Sequence, residues 1–401
     1  MKVKPVILCG GSGTRLFPDF KKSPLKQFID FGGWTLFGET LDRIKSPLFD
    51  SPIISTNKNY EKLVRRILKN KKIKRFKIIL EPFKKNTAPA IISSTLNADI
   101  KIDQPILFLP SDHYLPEKYK FNQILKSNLS NLNDNNIFIF GIKPRNPSSD
   151  FGYLLNKKIT KNINRVIKFI EKPNLKKAKK VIENKGCWNS GIVLARKDSI
   201  INNTKIIQKN LFRSCLDATI KSKSKNNTIN LDKKSFKRIK AISFDYAILE
   251  KAKEINSIIL NLTWSDLGSW KEIFNIIKSK TTQAYIKKNT YYRPWGKYKN
   301  FFKGDNFLLK ELTINKKSSI SLQKHHYRAE HWTVVGGKPK ITVGTKVFFK
   351  KLNEHVFIPR GSIHRIENIY KEPVKIIEAQ LGSILKETDI VRYQDVYGRV
   401  K

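Results

Sequence analysis

Cysteine is scarce, at 3 in 401 residues. Cys9, Cys187 and Cys215 are odd in number and widely spaced, so neither a disulfide framework nor a thiolate zinc site is indicated, and reduced, buried thiols are expected. Long apolar runs are missing too. With no stretch approaching about 18 consecutive apolar residues, and a chain that opens on a core-strand pattern rather than a charged prelude to an apolar signal stretch, a cytoplasmic protein without a membrane span is expected. Acidic residues are few: 33 Asp and Glu face 79 Lys and Arg, a formal net charge of +46. Such an excess ordinarily raises nucleic-acid or anionic-membrane binding, but the lysines are scattered through every segment and interleave with no RNA-reading aromatic motif. They read as solvated faces that help draw in phosphates, with no specific nucleic-acid partner. The 40% hydrophobic content supports real cores, and the length allows two or three domains.

The run Val6 to Leu8 has a buried-strand pattern and empties into Gly10-Gly11-Ser12-Gly13-Thr14-Arg15. Glycines let the backbone approach an anion, their amides supply donors, and Arg15 offsets charge on a leaving pyrophosphate. Tight turns between strand and helix need glycines as well. The spacing is neither G-x-G-x-x-G nor a P-loop ending in G-K-[ST].

Apolar runs at Pro5 to Leu8, Pro52 to Ser55, Phe76 to Leu80, Ile106 to Leu109, Ile137 to Phe140, Val166 to Ile170 and Gly191 to Leu194 alternate with mixed helical stretches such as Tyr60 to Lys69. That alternation predicts an α/β fold with a largely parallel, doubly wound sheet. Beyond the lysine-rich stretch Lys278 to Thr290 the period changes to two, with short strands such as Lys340 to Val343 and Val347 to Lys350, as in a small all-β barrel. The expected domains are 1–280 and 281–401, with a boundary near 280 to 290.

PDFKKSPLKQF at Pro18 to Phe28, EPFKKNTAPAI from Glu81, LPSDHYL from Leu109, FIEKP from Phe169, WNSG from Trp188, FDYA from Phe244 and WSDLGSW from Trp264 occur in that order. The ordered set resembles the mannose-1-phosphate guanylyltransferases, with a Rossmann-like mixed sheet. The resemblance implies attack by a phosphate oxygen of mannose 1-phosphate on the α-phosphorus of GTP, with loss of pyrophosphate. It also implies Mg²⁺ held by Asp112 and Asp266, since hard oxygen ligands suit that ion. Arg15 and Lys26 are the expected phosphate cations and Gly10 to Thr14 the phosphate loop. Asn86, Thr87 and Ala88 are expected to line the nucleotide pocket, and Gly152, Tyr153, Glu171, Lys172 and Asn189 to recognise the sugar and its phosphate. Trp188 and Trp264 read as core aromatics. The chain departs from the family at Lys84-Lys85, where a G-R pair is usual, at Pro24-Leu25 before Lys26, and in the short connection from Trp270 to Trp295.

QKHHYRAEHW from Gln323 and PRGSIH from Pro359, with Asn368, are similar to the two cupin motifs. Residues at i and i+2 of a strand face one side. Gln323 and His325 can therefore point into a barrel together, joined by Glu330 and His364 as ligands for Zn²⁺ or another divalent metal. AQLGSILKETDIVRYQDVYGR from Ala379 resembles the end of the type II phosphomannose isomerase domain fused to bacterial guanylyltransferases. That implies interconversion of mannose 6-phosphate and fructose 6-phosphate, with Arg328, His331 and Arg392 as candidates for phosphate or proton work. The alternatives are a nucleotidyltransferase for another sugar 1-phosphate, and a cupin that only binds sugar or stabilises the enzyme. The sequence leaves assembly into a homo-oligomer open.

Overall fold

The computed structural model describes residues 1–10, 16, 25–97 and 99–398. The expected loop residues Gly11, Ser12, Gly13, Thr14 and Arg15 lie outside the described residues. Two compact units form. Among the described residues the first takes in 1–10, 25–29 and 35–266, and the second takes in 16, 30–34 and 267–398. The helix Trp270–Lys280 thus groups with the second unit.

The first unit is built on one sheet of strands β1 (Lys4–Cys9), β2 (Ile53–Asn57), β3 (Lys77–Glu81), β4 (Pro105–Pro110), β5 (Ile137–Ile142), β6 (Tyr153–Lys158), β7 (Asn164–Ile170), β8 (Cys187–Arg196), β9 (Lys223–Lys225), β10 (Thr228–Asn230) and β11 (Ile255–Leu260). Its spatial order is β5-β11-β7-β6-β8-β4-β1-β2-β3-β10-β9. The stretch β4-β1-β2-β3 is parallel throughout, which brings the carboxyl ends of β1 and β4 to one edge, where such sheets bind ligands. The sheet is mixed rather than largely parallel, because β8 runs antiparallel to β4, β5 and β6, and β6 antiparallel to β7. Strands covered on both faces read as continuous apolar runs whatever their direction, so sequence period does not report direction here. One core cluster gathers Ile7, Ile54, Leu107 and Phe138, another Val6, Ile53, Ile106 and Ile139, as alternating side chains of the same strands require.

The second unit carries strands β12 (Thr290–Arg293), β13 (Gly296–Lys303), β14 (Phe307–Ile314), β15 (Ser318–Ser319), β16 (Leu322–His325), β17 (Arg328–Gly336), β18 (Lys340–Val343), β19 (Lys346–Phe349), β20 (His355–Ile358), β21 (His364–Asn368), β22 (Val374–Gly382) and β23 (Ile390–Gln394). They make two sheets, β12-β13-β14-β22-β17-β20 and β19-β18-β21-β16-β23, with β15 paired to β21. Trp332, Ile341, Ile366 and Ile376 share the core between them. The pairing is antiparallel throughout, as expected of a cupin-type barrel.

Candidate active sites

In the first unit Asp112 follows the carboxyl end of β4, and Lys26 opens the short 3₁₀ turn Lys26–Phe28. The Lys26 side chain is almost fully buried, and its Nζ sits 2.9 Å from Asp112 Oδ2 while also donating to the Asp266 backbone carbonyl. One ammonium therefore joins both sequence-predicted aspartates. Their loops are held together by a reciprocal backbone bridge, Tyr114 N–H to Ser265 O at 2.9 Å and Ser265 N–H to Tyr114 O at 3.1 Å. Burial opposes charge on Asp112, but Lys26 and His113 outweigh it and hold the carboxyl below its usual range.

Arg43, at the end of the helix Leu36–Arg43, is buried and donates to the Leu115 carbonyl at 3.3 Å, which ties down the loop after Asp112. His113 packs edge-on to Trp264, and Phe151 lies between Trp264 and Trp188. Both tryptophans are core residues, as their surroundings in sequence indicate.

The expected sugar residues gather beside this edge. Asn189 takes the central position: its backbone N–H reaches the Gly152 carbonyl at 2.8 Å, its amide nitrogen reaches Asp245 Oδ1 at 2.8 Å, and its amide oxygen accepts from Gly191 N–H at 3.1 Å. Gly152 lets the Glu171 carboxylate come close to the backbone, since a Cβ there would lie 2.6 Å from Glu171 Oε2 and would make that side chain shift. Burial, with Asp245 nearby, pushes the Glu171 carboxyl up to about 7. Lys172 adopts φ +42° and brings its ammonium to 3.8 Å from Glu171. Tyr153 stands apart. Its ring is fully buried and its hydroxyl closes the 148–153 loop by donating to the Ser148 carbonyl at 3.0 Å, so this position offers a pocket only its backbone.

Asn86 has φ +68° and caps the helix Thr87–Thr95 by accepting from Thr87 N–H. Ala88 N–H goes to the Ile242 carbonyl and Thr87 Oγ1 accepts from Phe244 N–H. With Pro89 next in line, the first amides of this helix are largely used, which leaves few donors here for a phosphate. Segment 242–245 touches both Thr87 and, through Asp245, the Asn189 cluster. Asp245 escaped the sequence reading although FDYA was recognised, because its role rests on a contact 56 residues away.

In the second unit His325, Glu330 and His364 are buried and offer ligand atoms within 4.8 Å of one another. His325 Nδ1 pairs with the Asp389 carbonyl at 3.1 Å and His364 Nδ1 with the Ser362 carbonyl at 2.9 Å. With each Nδ1 proton held by a carbonyl, the neutral form of either ring would offer its Nε2 on the Glu330 side. His364 Nε2 is buried with no hydrogen-bond partner, and burial holds this ring down to about 4, hence neutral. Two imidazole lone pairs and a carboxylate facing one another fit a divalent cation. Arg328 contacts the same atoms, its Nε 3.0 Å from Glu330 Oε1 and its terminal nitrogen 3.2 Å from His325 Nε2, so a cation bound at His325 would take over the lone pair that this contact uses. Gln323 lines the same cavity with Arg328 and Arg392 and pairs in register with His364 and Arg392. Its amide oxygen accepts from Ser321 Oγ at 2.8 Å.

His331 is the exception. Strand alternation sends it to the side of β17 opposite Glu330, where its ring packs on Phe357 at 4.6 Å, so it does not join the group expected to do proton or phosphate work. Burial, with His355 nearby, holds its ring down to about 4. An unfolded His near 6.5 binds a proton that the folded ring refuses, so this residue should weaken the fold progressively as pH falls from 6.5 to 4, by up to about 1.4 kcal/mol per pH unit. His331→Phe is expected to flatten that dependence in urea melts at pH 7 and pH 5 while leaving barrel activity within a few-fold. An unchanged pH slope, or a lost activity, contradicts the placement.

Residues 4–283 match the family model described as nucleotidyl transferase, and residues 280–395 match that described as mannose-6-phosphate isomerase C-terminal. The chain belongs to the nucleotidyl transferase family. It is the two-domain form, carrying an isomerase-type cupin behind the transferase. The alginate biosynthesis protein AlgA of Pseudomonas fluorescens is 30% identical over 98% of this chain and 96% of its own. The mannose-1-phosphate guanylyltransferase of Escherichia coli K12 is 28% identical over 100% and 99%. A crystal structure of mannose-6-phosphate isomerase from Helicobacter pylori superposes with a TM-score of 0.58 at 25% identity, covering 66% of this chain and all of that one. The AlgA alignment extends over 466 positions against the 401 residues here, so that relative carries residues this nucleotidyltransferase lacks. Among the described residues no helix is long and apolar enough to cross a membrane.

Proposed function

We propose that the chain is a bifunctional enzyme of GDP-mannose synthesis: its first unit converts GTP and mannose 1-phosphate to GDP-mannose and pyrophosphate, and its barrel interconverts mannose 6-phosphate and fructose 6-phosphate. The observation that carries the transferase reading is the Lys26 ammonium joining Asp112 and Asp266 beside a polar cluster of Glu171, Asn189 and Asp245. Asp112 and Asp266 would hold Mg²⁺, which would supply charge neutralisation at the phosphates. Lys26 binds phosphate oxygens and keeps Asp112 ionised. Glu171 accepts from sugar hydroxyls, replacing the hydrogen bonds these make to water, while Asn189 orients the Gly152 turn against it. Arg15 and the Gly10 to Thr14 loop take the departing pyrophosphate. In the barrel, His325, Glu330 and His364, with Gln323, would hold Zn²⁺ or a similar divalent ion, which would supply Lewis-acid polarisation of the sugar carbonyl. Arg328 and Arg392 bind the substrate phosphate. Cytoplasmic location fits nucleotide and sugar phosphate substrates.

The deciding assay supplies Mg²⁺, mannose 1-phosphate and each of the four nucleoside triphosphates separately and measures pyrophosphate. Release with GTP well above the other three is expected. Equal release with all four, or release only with a different sugar 1-phosphate, overturns the assignment.

A further inference from the structure

The barrel interior contains a carboxyl that the roles above leave unused. Glu378 lies on β22 directly opposite Lys310 of β14, and both side chains are buried at about 5% exposure or less. Both line the cavity shared by Gln323, Arg328, Glu330 and Arg392. The Lys310 ammonium makes its close contacts elsewhere, 3.0 Å from Glu387 and over the Tyr298 ring, while still attracting the Glu378 carboxyl through space. Among the described residues no cation pairs with Glu378 at ion-pair distance. Its side-chain hydrogen bond comes from the amide nitrogen of Gln380, which also donates to Glu330 at 3.2 Å. Gln380 therefore fixes Glu378 at a set position from the metal-type trio without neutralising it.

A buried carboxyl in a polar cavity, held by a neutral amide, can exchange a proton near neutral pH. Burial, with the charge of Glu330, outweighs the opposing charges of Lys310 and Arg328 and pushes Glu378 up to about 7. A general base works best with an affinity for protons near the operating pH.

We propose that Glu378 is the base that carries the proton between C2 and C1 in the isomerase reaction, an inference that rests on the isomerase reading of the barrel. With open-chain mannose 6-phosphate, the Glu378 carboxylate takes the proton from C2. The C2–H electron pair becomes the C1=C2 bond and the C1=O pair moves onto O1. The proton on O2 then passes to O1, the O2 electrons form the C2 carbonyl, and the C1=C2 pair takes the proton back from the Glu378 carboxylic acid at C1. Fructose 6-phosphate results, Glu378 is again a carboxylate, and no oxidant or reductant is required.

The test compares wild type, Glu378→Gln and Glu378→Asp, each loaded with divalent metal. Three quantities are followed: the rate of interconversion, deuterium uptake from D₂O into sugar carbon, and the binding of mannose 6-phosphate by calorimetry. Glu378→Gln keeps shape and hydrogen-bonding capacity but not basicity, so kcat should fall by about 10² or more. Deuterium uptake should fall in parallel, with metal content and mannose 6-phosphate affinity within a few-fold of wild type. Glu378→Asp, which retains a displaced carboxylate, should recover part of the rate. Wild-type kcat in Glu378→Gln overturns the role while the isomerase reading stands. Loss of affinity as large as the loss of kcat also overturns it, making Glu378 a binding residue. Should Glu378→Gln lose metal or circular dichroism, Glu378→Asp decides, since an undiminished kcat there excludes a base so dependent on position. A wild-type enzyme that never isomerises removes the isomerase reading and this role together.

Discussion

Asp112→Asn is expected to lower kcat/KM for nucleotidyl transfer by at least about 10², or roughly 2.7 kcal/mol of transition-state stabilisation. The substitution preserves shape and removes one negative charge. It leaves Lys26 Nζ a neutral amide where it had a carboxylate at 2.9 Å, and it takes one carboxylate from the pair proposed to hold Mg²⁺. Asp266→Asn should fall less in binding of the Lys26 ammonium, because that contact uses the backbone carbonyl of Asp266 rather than its side chain. Steady-state rates at saturating Mg²⁺ check both variants. Near-wild-type turnover in each would remove the aspartates from the reaction.

Glu330→Ala should be among the most destabilising single changes in the barrel, at about 3–5 kcal/mol. Its carboxylate accepts from Arg328 Nε at 3.0 Å, Trp332 Nε1 at 3.1 Å and Gln380 Nε2 at 3.2 Å, all buried. Burial opposes its charge, but His325 and Arg328 outweigh this and keep the carboxyl well below its usual range. Removing it takes the buried acceptor from Arg328 Nε and from the Trp332 indole N–H, while Gln380 keeps its bond to Glu378 and Arg328 its bond to the Lys386 carbonyl. Urea unfolding followed at the second unit should show the loss, and divalent metal should no longer copurify. A loss under about 1 kcal/mol would mean that water already compensates these donors.

The parts of both sites that lie in short motifs were legible in the sequence. Asp112, Asp266, Lys26, His325, Glu330 and His364 sit in strings whose order and spacing identify them, and the structure brings Lys26 and the two aspartates together in one group and the two histidines with Glu330 in another. What the strings could not convey was side and register. His331 neighbours Glu330 in the chain but faces the other way, and only strand alternation separates them. Glu378 lies in VKIIEAQLG, a run that reads as a covered strand, and its position in the cavity depends on the Lys310 register across β14. Asp245 and Arg43 act through contacts at long sequence separation, on Asn189 and on the Leu115 carbonyl. The antiparallel course of β6 to β8 was hidden for a related reason, since doubly covered strands lose the alternation that marks direction and exposure.

The central claim is that one chain carries two chemically separate sites, the described residues of each lying within a single compact unit. It is tested most directly by assaying both reactions on wild type, Asp112→Asn and His364→Ala. His364→Ala should lose the barrel metal and isomerase activity while GDP-mannose synthesis stays within a few-fold of wild type, and Asp112→Asn should show the reverse. Loss of both activities in either variant, with circular dichroism unchanged, would contradict the claim.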